Sequence, residues 1–289
     1  MNTTRILLPI CNRLRLPAVC SLRLVNRFPT MISHPFYPFK RQYLHQVPAA
    51  MNTPDNYRPD VLSTRDPTME SFLNNADNLE RLIQMDGFKT WGFVIYRCTY
   101  QSDSDWETFM TRFLYHVRHS LDFYNGLDLL DSFAPTVFED RSFDGATTAL
   151  VRKHFQEWAA TAPPVEQPIG YSDYPEAGRY KFFLMVDQEA LESVLSVPDP
   201  EECDSDGFVR LVNGFWEPEV LDADELAERG VSSQSELEQE EPLEGLTMLD
   251  VGWMKVCYSD AQTWGYLSML DGFRWLTYYQ RPPLIQKYL

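Results

Sequence analysis

The amino-acid sequence predicts an α+β protein with a mostly antiparallel sheet, helices on one face of it, and ferredoxin-like βαβ elements. Apolar runs rich in β-branched and aromatic residues recur along the chain, and three of them are followed by segments with helical patterns. Because 44% of the 289 residues are hydrophobic and 14% are aromatic, the chain can bury a substantial core. We interpret residues 71–289 as a single domain.

The clearest predicted unit is a strand followed by a helix. Residues 88–100 form a β-branched and aromatic run with little alternation, which is typical of a central strand covered on both faces. Ser104 and Glu107 then have the spacing of a capping box. The helix predicted after them has apolar residues at i, i+3 and i+4 spacing over four turns. These residues are Trp106, Phe109, Met110, Phe113, Leu114, Val117 and Leu121.

The remaining elements are predicted from shorter patterns. A second helix is expected from about Gly145 to Ala160, with Asp144 as its N-cap. A helix that begins with acidic residues and a last helix near the C-terminus each follow a strand-like run. In order, these elements are strand 180–186, helix 188–195, strand 208–212, strand 253–258 and a helix capped by Asp260 that ends near Gly272.

Residues 1–70 are interpreted as a basic leader outside the domain. Residues 1–54 contain seven Arg and Lys and no Asp or Glu, a composition typical of a mitochondrial presequence. Prolines at positions 9, 17, 29, 35 and 38 interrupt the amphipathic pattern, however, and Met51 begins a second Met-Asn-Thr sequence. Three alternatives therefore remain open: a start site placed too far upstream, a mitochondrial targeting segment, or a disordered tail.

The charge of the rest of the chain excludes whole classes of partner. Without the seven positive charges of residues 1–54, the net charge of −17 becomes −24. Such an acidic body repels phosphate backbones and anionic membrane surfaces, so we expect neither nucleic acid nor a membrane as partner. The five cysteines lack a C-x-x-C pair, which favours a reducing compartment. We therefore expect a cytoplasmic protein, or a mitochondrial one if the leader is genuine.

An acidic insertion is predicted at about residues 217–244. Between Asp199 and Glu244 the sequence has sixteen acidic residues and only Arg210 and Arg229 as cations. Few large apolar residues lie in its centre, so we expect a mobile loop that is at most transiently helical. It is either a solvated insertion without a role or a lid over a binding site.

Established catalytic motifs are absent from the sequence. It contains no nucleotide-binding glycine motif, no serine hydrolase motif and no H-E-x-x-H metal motif, so no cofactor is expected. His116 and His119 have a spacing that could bring two imidazoles to one metal ion. No further ligand lies near them in the sequence, and both project away from the apolar stripe, so we predict an exposed pair without a metal.

Three residues are candidates for acid–base chemistry. Glu139 and Asp140 lie just before the second predicted helix, and His154 lies at the edge of its apolar face. Carboxylates beside a half-buried histidine can form an acid–base pair. The alternative is structural, with the carboxylates bordering a turn and His154 packed against the core.

Four cations stand inside the predicted strands of this acidic chain. They are Arg97, Lys181, Arg210 and Lys255. If the sheet places them on one face, they form an anion-binding patch, which the acidic insertion would cover or compete for. The alternative is that each cation pairs with a nearby carboxylate.

Several motifs resemble a large protein family of filamentous ascomycete fungi to which no function is assigned. The motifs are residues 91–100 (W-G-F-V-I-Y-R-C-T-Y) with Asp105-Trp106, Phe138-Glu139-Asp140, Asp144-Gly145-Ala146, Val186-Asp187, residues 250–256 (D-V-G-W-M-K-V) and residues 278–283 (Y-Y-Q-R-P-P). The resemblance covers about residues 85–285. It implies a fungal intracellular protein, and it implies no reaction, cofactor or catalytic residue.

Taken together, these patterns favour a binding or interaction protein without enzymatic activity. Its partner would be another protein or a small anionic ligand. The alternative is a cofactor-independent enzyme acting on a small metabolite, including an anionic one. An enclosed cavity of several hundred Å³ that holds His154 or the mid-strand cations would favour the enzyme.

Overall fold

The computed structural model of the chain describes residues 74–86, 89–167, 177–202, 206–233, 236, 240–269 and 272–287. The predicted leader, residues 1–70, lies outside the described residues. The N-terminal bound of the predicted domain therefore stays a prediction.

Helices surround a central sheet. In the described residues they are α1 (Asn75–Asp86), α2 (Asp103–Phe123), α3 (Thr148–Ala159), α4 (Pro163–Glu166), α5 (Gln188–Leu195), α6 (Ala223–Glu228), α7 (Trp264–Ser268) and α8 (Gly272–Tyr278). Short 3-10 turns occupy Leu127–Ser132, Arg141–Phe143 and Gly178–Tyr180. In the part of the chain that is described, no helix is long and apolar enough to cross a membrane.

The sheet has six strands in the spatial order β2-β1-β3-β4-β5-β6. They are β1 (Val94–Arg97), β2 (Val137–Phe138), β3 (Phe182–Val186), β4 (Phe208–Asn213), β5 (Trp253–Cys257) and β6 (Ile285–Gln286). Four of them lie in predicted strand segments. The edge strands β2 and β6 are not predicted, because two residues carry too little pattern to be recognised.

The sheet is mixed, and its antiparallel part lies at the centre. β3 pairs antiparallel with β4, and β4 with β5. β1 pairs parallel with both β2 and β3, and β5 pairs parallel with β6. Because α2 connects β1 to its parallel neighbour β2, these elements form a βαβ arrangement. The predicted α+β class is confirmed, whereas its ferredoxin-like character stays a prediction.

Helices cover both faces of the sheet, so the predicted single helical face is wrong. One face carries Ile95 and Leu184 and packs against α1, α2, α5, α7 and α8. The other face carries Tyr96 and Phe183 and packs against α3. The ring centroids of Phe155 and Phe183 are 4.8 Å apart across this second layer. The central strands are therefore buried on both sides, which agrees with the unbroken apolar run in β1.

The N-terminus of α2 differs from the predicted one by two residues. Ser102, in extended backbone conformation, is the N-cap, and its hydroxyl accepts a hydrogen bond from the N–H of Asp105 at 3.2 Å. The predicted cap, Ser104, lies inside the first turn. The earlier start places Asp103 and Asp105 in that turn, where the positive end of the helix dipole stabilises both carboxylates.

The helix predicted at residues 188–195 has an acidic N-cap, whereas the caps predicted for the two other helices are wrong. Asp187 accepts a hydrogen bond from the N–H of Ala190 at 2.9 Å, and the helix has the predicted bounds. Thr147, not Asp144, caps α3. Asp144 instead ends the preceding 3-10 turn, so the helix begins later than predicted. At α7 the N-cap position is Thr263 instead of Asp260.

A fully buried arginine connects the start of the sheet to the loops around it. Arg179 is 0% exposed, and it donates hydrogen bonds to both oxygens of Glu166 at 2.8 and 2.7 Å. It also donates to the carbonyls of Gly92 and Ala134, each at 2.7 Å, and to the hydroxyl of Thr136 at 2.9 Å. All five guanidinium N–H groups can therefore have partners, which lets this charge be buried.

The acidic insertion contains regular structure where it is described. The short helix α6 begins with a capping box between Asp222 and Glu225. Further along, Leu243 and Leu246 form an isolated β-bridge around a tight turn. Arg281 from the C-terminal tail donates to the carbonyls of Glu241 and Met248 on either side of this turn. The end of the insertion is thus attached to the domain.

Candidate functional site

An open cleft of about 500 Å³ lies between β2 and α3. β2 and the turn after it supply Val137, Phe138, Glu139, Asp140, Ser142 and Phe143, while α3 supplies Leu150, Lys153, His154 and Glu157. The four α3 residues follow the i, i+3, i+4, i+7 spacing of one helix face. The structure thus brings the three predicted acid–base candidates, Glu139, Asp140 and His154, to one cleft.

The His154 ring is held in place by aromatic neighbours. Its Nδ1 lies 2.9 Å from the hydroxyl oxygen of Tyr96 on β1. The rings of Phe138 and Phe143 approach it edge-on, each with its centroid 5.1 Å from that of the imidazole. With Nδ1 occupied by Tyr96, Nε2 is the ring nitrogen that remains for a ligand.

Tyr96 is buried, and this fixes its protonation state. The residue is 0% exposed, and burial raises its pKa well above the ordinary value of a phenol. The hydroxyl therefore keeps its proton at neutral pH and can donate it to Nδ1 of His154. When the hydroxyl donates in this way, a neutral His154 carries its own proton on Nε2.

Glu139 and Asp140 present carboxylates on the opposite wall of the cleft. Oε1 of Glu139 accepts a hydrogen bond from the indole N–H of Trp106 at 2.9 Å, and Oε2 accepts one from Arg97 at 3.4 Å. Asp140 accepts a hydrogen bond from the backbone N–H of Ser142 at 2.8 Å. This bond lowers the pKa of Asp140, so its carboxylate stays charged at neutral pH.

The four mid-strand cations do not form one patch, so that expectation is wrong. Arg97 is in register with Val186, which belongs to the core on the α2 face. Arg210 is in register with Met185, which belongs to the core on the α3 face. Lys255 is paired with Arg210 across β4 and β5. Lys181 precedes β3 and does not belong to a strand.

The cations inside the strands are already paired with carboxylates. Arg97 contacts Asp103 and Glu139, and its guanidinium lies 4.3 Å from the ring centroid of Tyr100. Lys255 contacts Glu189 at 2.6 Å. Each is less than a tenth exposed in its side chain. Arg97 therefore serves to position Glu139 in the cleft.

His116 departs from the predicted exposed pair. It is 2% exposed, and its Nε2 lies 3.0 Å from the hydroxyl of Tyr258. His119 is exposed, and its ring stacks on Tyr115. Helical projection misses the contact because Tyr258 lies in the turn after β5, more than a hundred residues away in sequence. In the described residues, no group of three or more His, Cys, Asp or Glu side chains is arranged to hold a metal ion.

Sequence reasoning also misses Tyr96 as a residue of the cleft. Tyr96 stands in the middle of an apolar strand, where an aromatic residue is usually only a core residue. Its parallel neighbour Phe138 stacks on it, with ring centroids 4.8 Å apart. Only the pairing of β1 with β2 shows that Tyr96 belongs to the cleft, and the sequence does not reveal this pairing.

Comparisons with protein-family models, curated proteins and solved structures found no match. The function of the cleft is therefore argued from its own residues.

Proposed function

We propose that this protein is a non-catalytic binding protein whose ligand occupies the cleft at His154. The observation that carries the proposal is the convergence of oriented polar groups on this one cleft. Glu139 is held by Trp106 and Arg97, and His154 is held by Tyr96. Polar groups fixed in this way cost little entropy when a ligand binds, because they are already oriented.

The chemistry of the walls favours a small ligand with a cationic group and an apolar part. Glu139, Asp140 and Glu157 outnumber the single lysine of the cleft, Lys153. Phe138 and Phe143 add aromatic edges beside His154. A small anion is disfavoured here, since it would face these carboxylates.

A set of three probes of the same shape tests this preference. Benzylamine, benzyl alcohol and benzoate are cationic, neutral and anionic, and each carries one phenyl ring. Isothermal titration of the full chain should rank their affinities in that order. Substitution of Asp140→Asn should weaken benzylamine several-fold and leave benzyl alcohol nearly unchanged, because only the amine has a charge for Asp140 to attract.

The control for this test is Asp131→Asn, which removes an exposed carboxylate outside the cleft. It should leave all three affinities unchanged. Benzoate binding more tightly than benzylamine would reject the proposed ligand class. The absence of saturable binding by any of the probes would count against a ligand of this kind in the cleft.

A second candidate function is proton transfer by His154 in a cofactor-independent enzyme. It is favoured by the contact with Tyr96. Because this contact occupies Nδ1, Nε2 is the nitrogen left to exchange a proton with a substrate. Hydrolysis of p-nitrophenyl acetate provides a test. A hydrolysis rate that is lower than the wild-type rate in His154→Gln but not in His119→Gln would support the enzyme. Equal rates in the wild type and both variants would support binding alone.

We also propose an intracellular, reducing setting for the protein, and a fungal origin. Cys98 and Cys257 are buried and unbridged, which supports the reducing compartment. The proposed fungal origin rests on the resemblance of residues 91–100 to the fungal family. This motif contains β1 and with it Tyr96 and Arg97. Mass spectrometry of the natively purified protein would report its N-terminus, retained ligands and protein partners together.

A further inference from the structure

The carboxylate of Glu244 occupies a polar site at the N-terminus of α3. Its Oε2 accepts hydrogen bonds from the backbone N–H and the hydroxyl of Thr148, at 2.9 and 2.8 Å. Its Oε1 accepts a hydrogen bond from Nη1 of Arg210 at 2.9 Å. Three donors from two elements therefore surround one carboxylate, an arrangement that suits a carboxylate ligand.

Glu244 reaches this site from the tip of a tight turn. Leu243 and Leu246 exchange two backbone hydrogen bonds, each 2.9 Å long. The two residues between them, Glu244 and Gly245, have φ angles of 50° and 85°, as in a two-residue type I′ turn. The donors belong to α3 and β4, so they do not depend on the turn for their own positions.

Two buried donors beside the site have no partner among the residues that the structure describes. They are Nε of Arg210 and the indole Nε1 of Trp253. Trp253 is 3% exposed, and the Arg210 guanidinium lies 4.3 Å from its ring centroid. A buried N–H without an acceptor costs about 1–3 kcal/mol. The site thus holds more donors than Glu244 satisfies, and a carboxylate that is not tethered to the turn can move to contact them.

The charges around Arg210 favour a singly charged ligand. The guanidinium contacts Asp187, Glu189 and Glu244, while Lys255 contacts Glu189. Three carboxylates therefore share two cations. A monocarboxylate that replaces Glu244 keeps this balance, whereas a doubly charged phosphate would add repulsion from the remaining carboxylates.

We propose that this site binds the carboxylate of a small organic monocarboxylate, and that Glu244 is its built-in competitor. The acidic insertion then acts through a single side chain at its end: the ligand enters when the turn at Leu243–Leu246 withdraws Glu244. The site lies at the first residue of α3 and shares no residue with the cleft at His154, so the inference does not rest on the proposed function.

The variant Glu244→Gly tests the site directly. Glycine tolerates the positive φ at this position, so the turn can form while the carboxylate is removed. Acetate is the probe, with sodium chloride at equal ionic strength as its reference, and the backbone amide signal of Thr148 and the indole signal of Trp253 are followed by NMR. We expect saturable shifts of both signals, with an affinity about tenfold or more above that of the wild type, because the competitor is gone.

The matched control is Glu217→Gly, which removes an exposed carboxylate near the start of the insertion and should behave as the wild type. Adding Arg210→Met to Glu244→Gly should abolish the acetate shifts. Glu244→Asn provides a second route to an empty site, because asparagine also tolerates positive φ. Folded variants without saturable shifts, or shifts that survive Arg210→Met, would overturn the proposal and leave Glu244 as a structural contact.

Discussion

The hydroxyl of Tyr96 lies 2.9 Å from Nδ1 of His154, and this contact joins the central strand β1 to helix α3. It connects the apolar core on the α3 face to an open cleft with two oriented carboxylates. A core residue thus determines how the imidazole faces the cleft. This relationship underlies the proposed function and leads to the first prediction.

Removal of the Tyr96 hydroxyl should change the tautomer of His154. The buried phenol keeps its proton, so we expect it to donate to Nδ1 in the wild type and the neutral ring to carry its own proton on Nε2. In Tyr96→Phe that donor is lost, so both tautomers become populated and the free energy of unfolding falls by about 1 kcal/mol. The ¹⁵N shifts of the His154 ring measure the tautomer. Tyr115→Phe, beside the exposed His119, is the control, and an unchanged His154 tautomer in Tyr96→Phe would contradict the assigned bond.

Loss of the buried Arg179 charge should destabilise the whole domain. Arg179→Met leaves Glu166 without its guanidinium and three further acceptors without their donor. Breaking a buried ion pair costs about 3–5 kcal/mol, and urea denaturation would measure the loss. Arg229→Met is the matched control, since Arg229 pairs with the exposed Glu219 and such a pair contributes about 0–1 kcal/mol. Similar losses in both variants would show that the Arg179 contacts contribute little.

Acid should weaken the fold partly through His116. Burial lowers the pKa of His116 below its ordinary value of 6.5. Near and below pH 6.5 the unfolded chain therefore binds a proton that the folded chain resists, so stability falls as the pH drops through this value. The groups facing His116 are the Tyr258 hydroxyl, the Pro200 backbone and His119.

The measurement for this prediction is urea denaturation at pH 7.5 and 5.5. The stability lost between the two should be smaller in His116→Gln than in the wild type, by about 1 kcal/mol or less. His119→Gln removes only the smallest of the effects on the pKa of His116, so this variant should lose nearly as much as the wild type. An equal loss in His116→Gln and the wild type would show that His116 takes no part.

Cys98 should resist alkylation while the protein is folded. It is 2% exposed, and burial, the largest cause, raises the pKa of its thiol to about 12. Only the thiolate reacts, so labelling by iodoacetamide at pH 8 should be about a hundredfold slower than in urea-unfolded protein. Peptide mass spectrometry separates Cys98 from the other cysteines. Labelling at the same rate in folded and unfolded protein would contradict its burial.

The elements that could be predicted from sequence are those with a long, regular pattern. The stripe of α2 and the apolar runs of β3 and β5 are visible because their side chains face one or two cores. The two-residue strands β2 and β6 exist through pairing with β1 and β5, which no local pattern encodes. For the same reason the wall of the cleft formed by β2 could not be placed in advance.

The faces and partners of the charged strand residues could not be predicted from the local sequence. Arg97 and Arg210 have similar mid-strand positions, yet the register of the sheet sends them to opposite faces. A shift of one residue along a strand reverses the face of a side chain. Which carboxylate pairs with each cation therefore depends on the register and on distant loops, such as the one that carries Glu244 to Arg210.

The measurement that tests the central claim most directly is a benzylamine titration followed through the ring ¹⁵N signals of the histidines. The account predicts a saturable shift of the Nε2 signal of His154, no shift for His119, and a several-fold weaker affinity in Asp140→Asn. A titration that leaves His154 unmoved, or moves both histidines alike, would contradict a ligand site between β2 and α3.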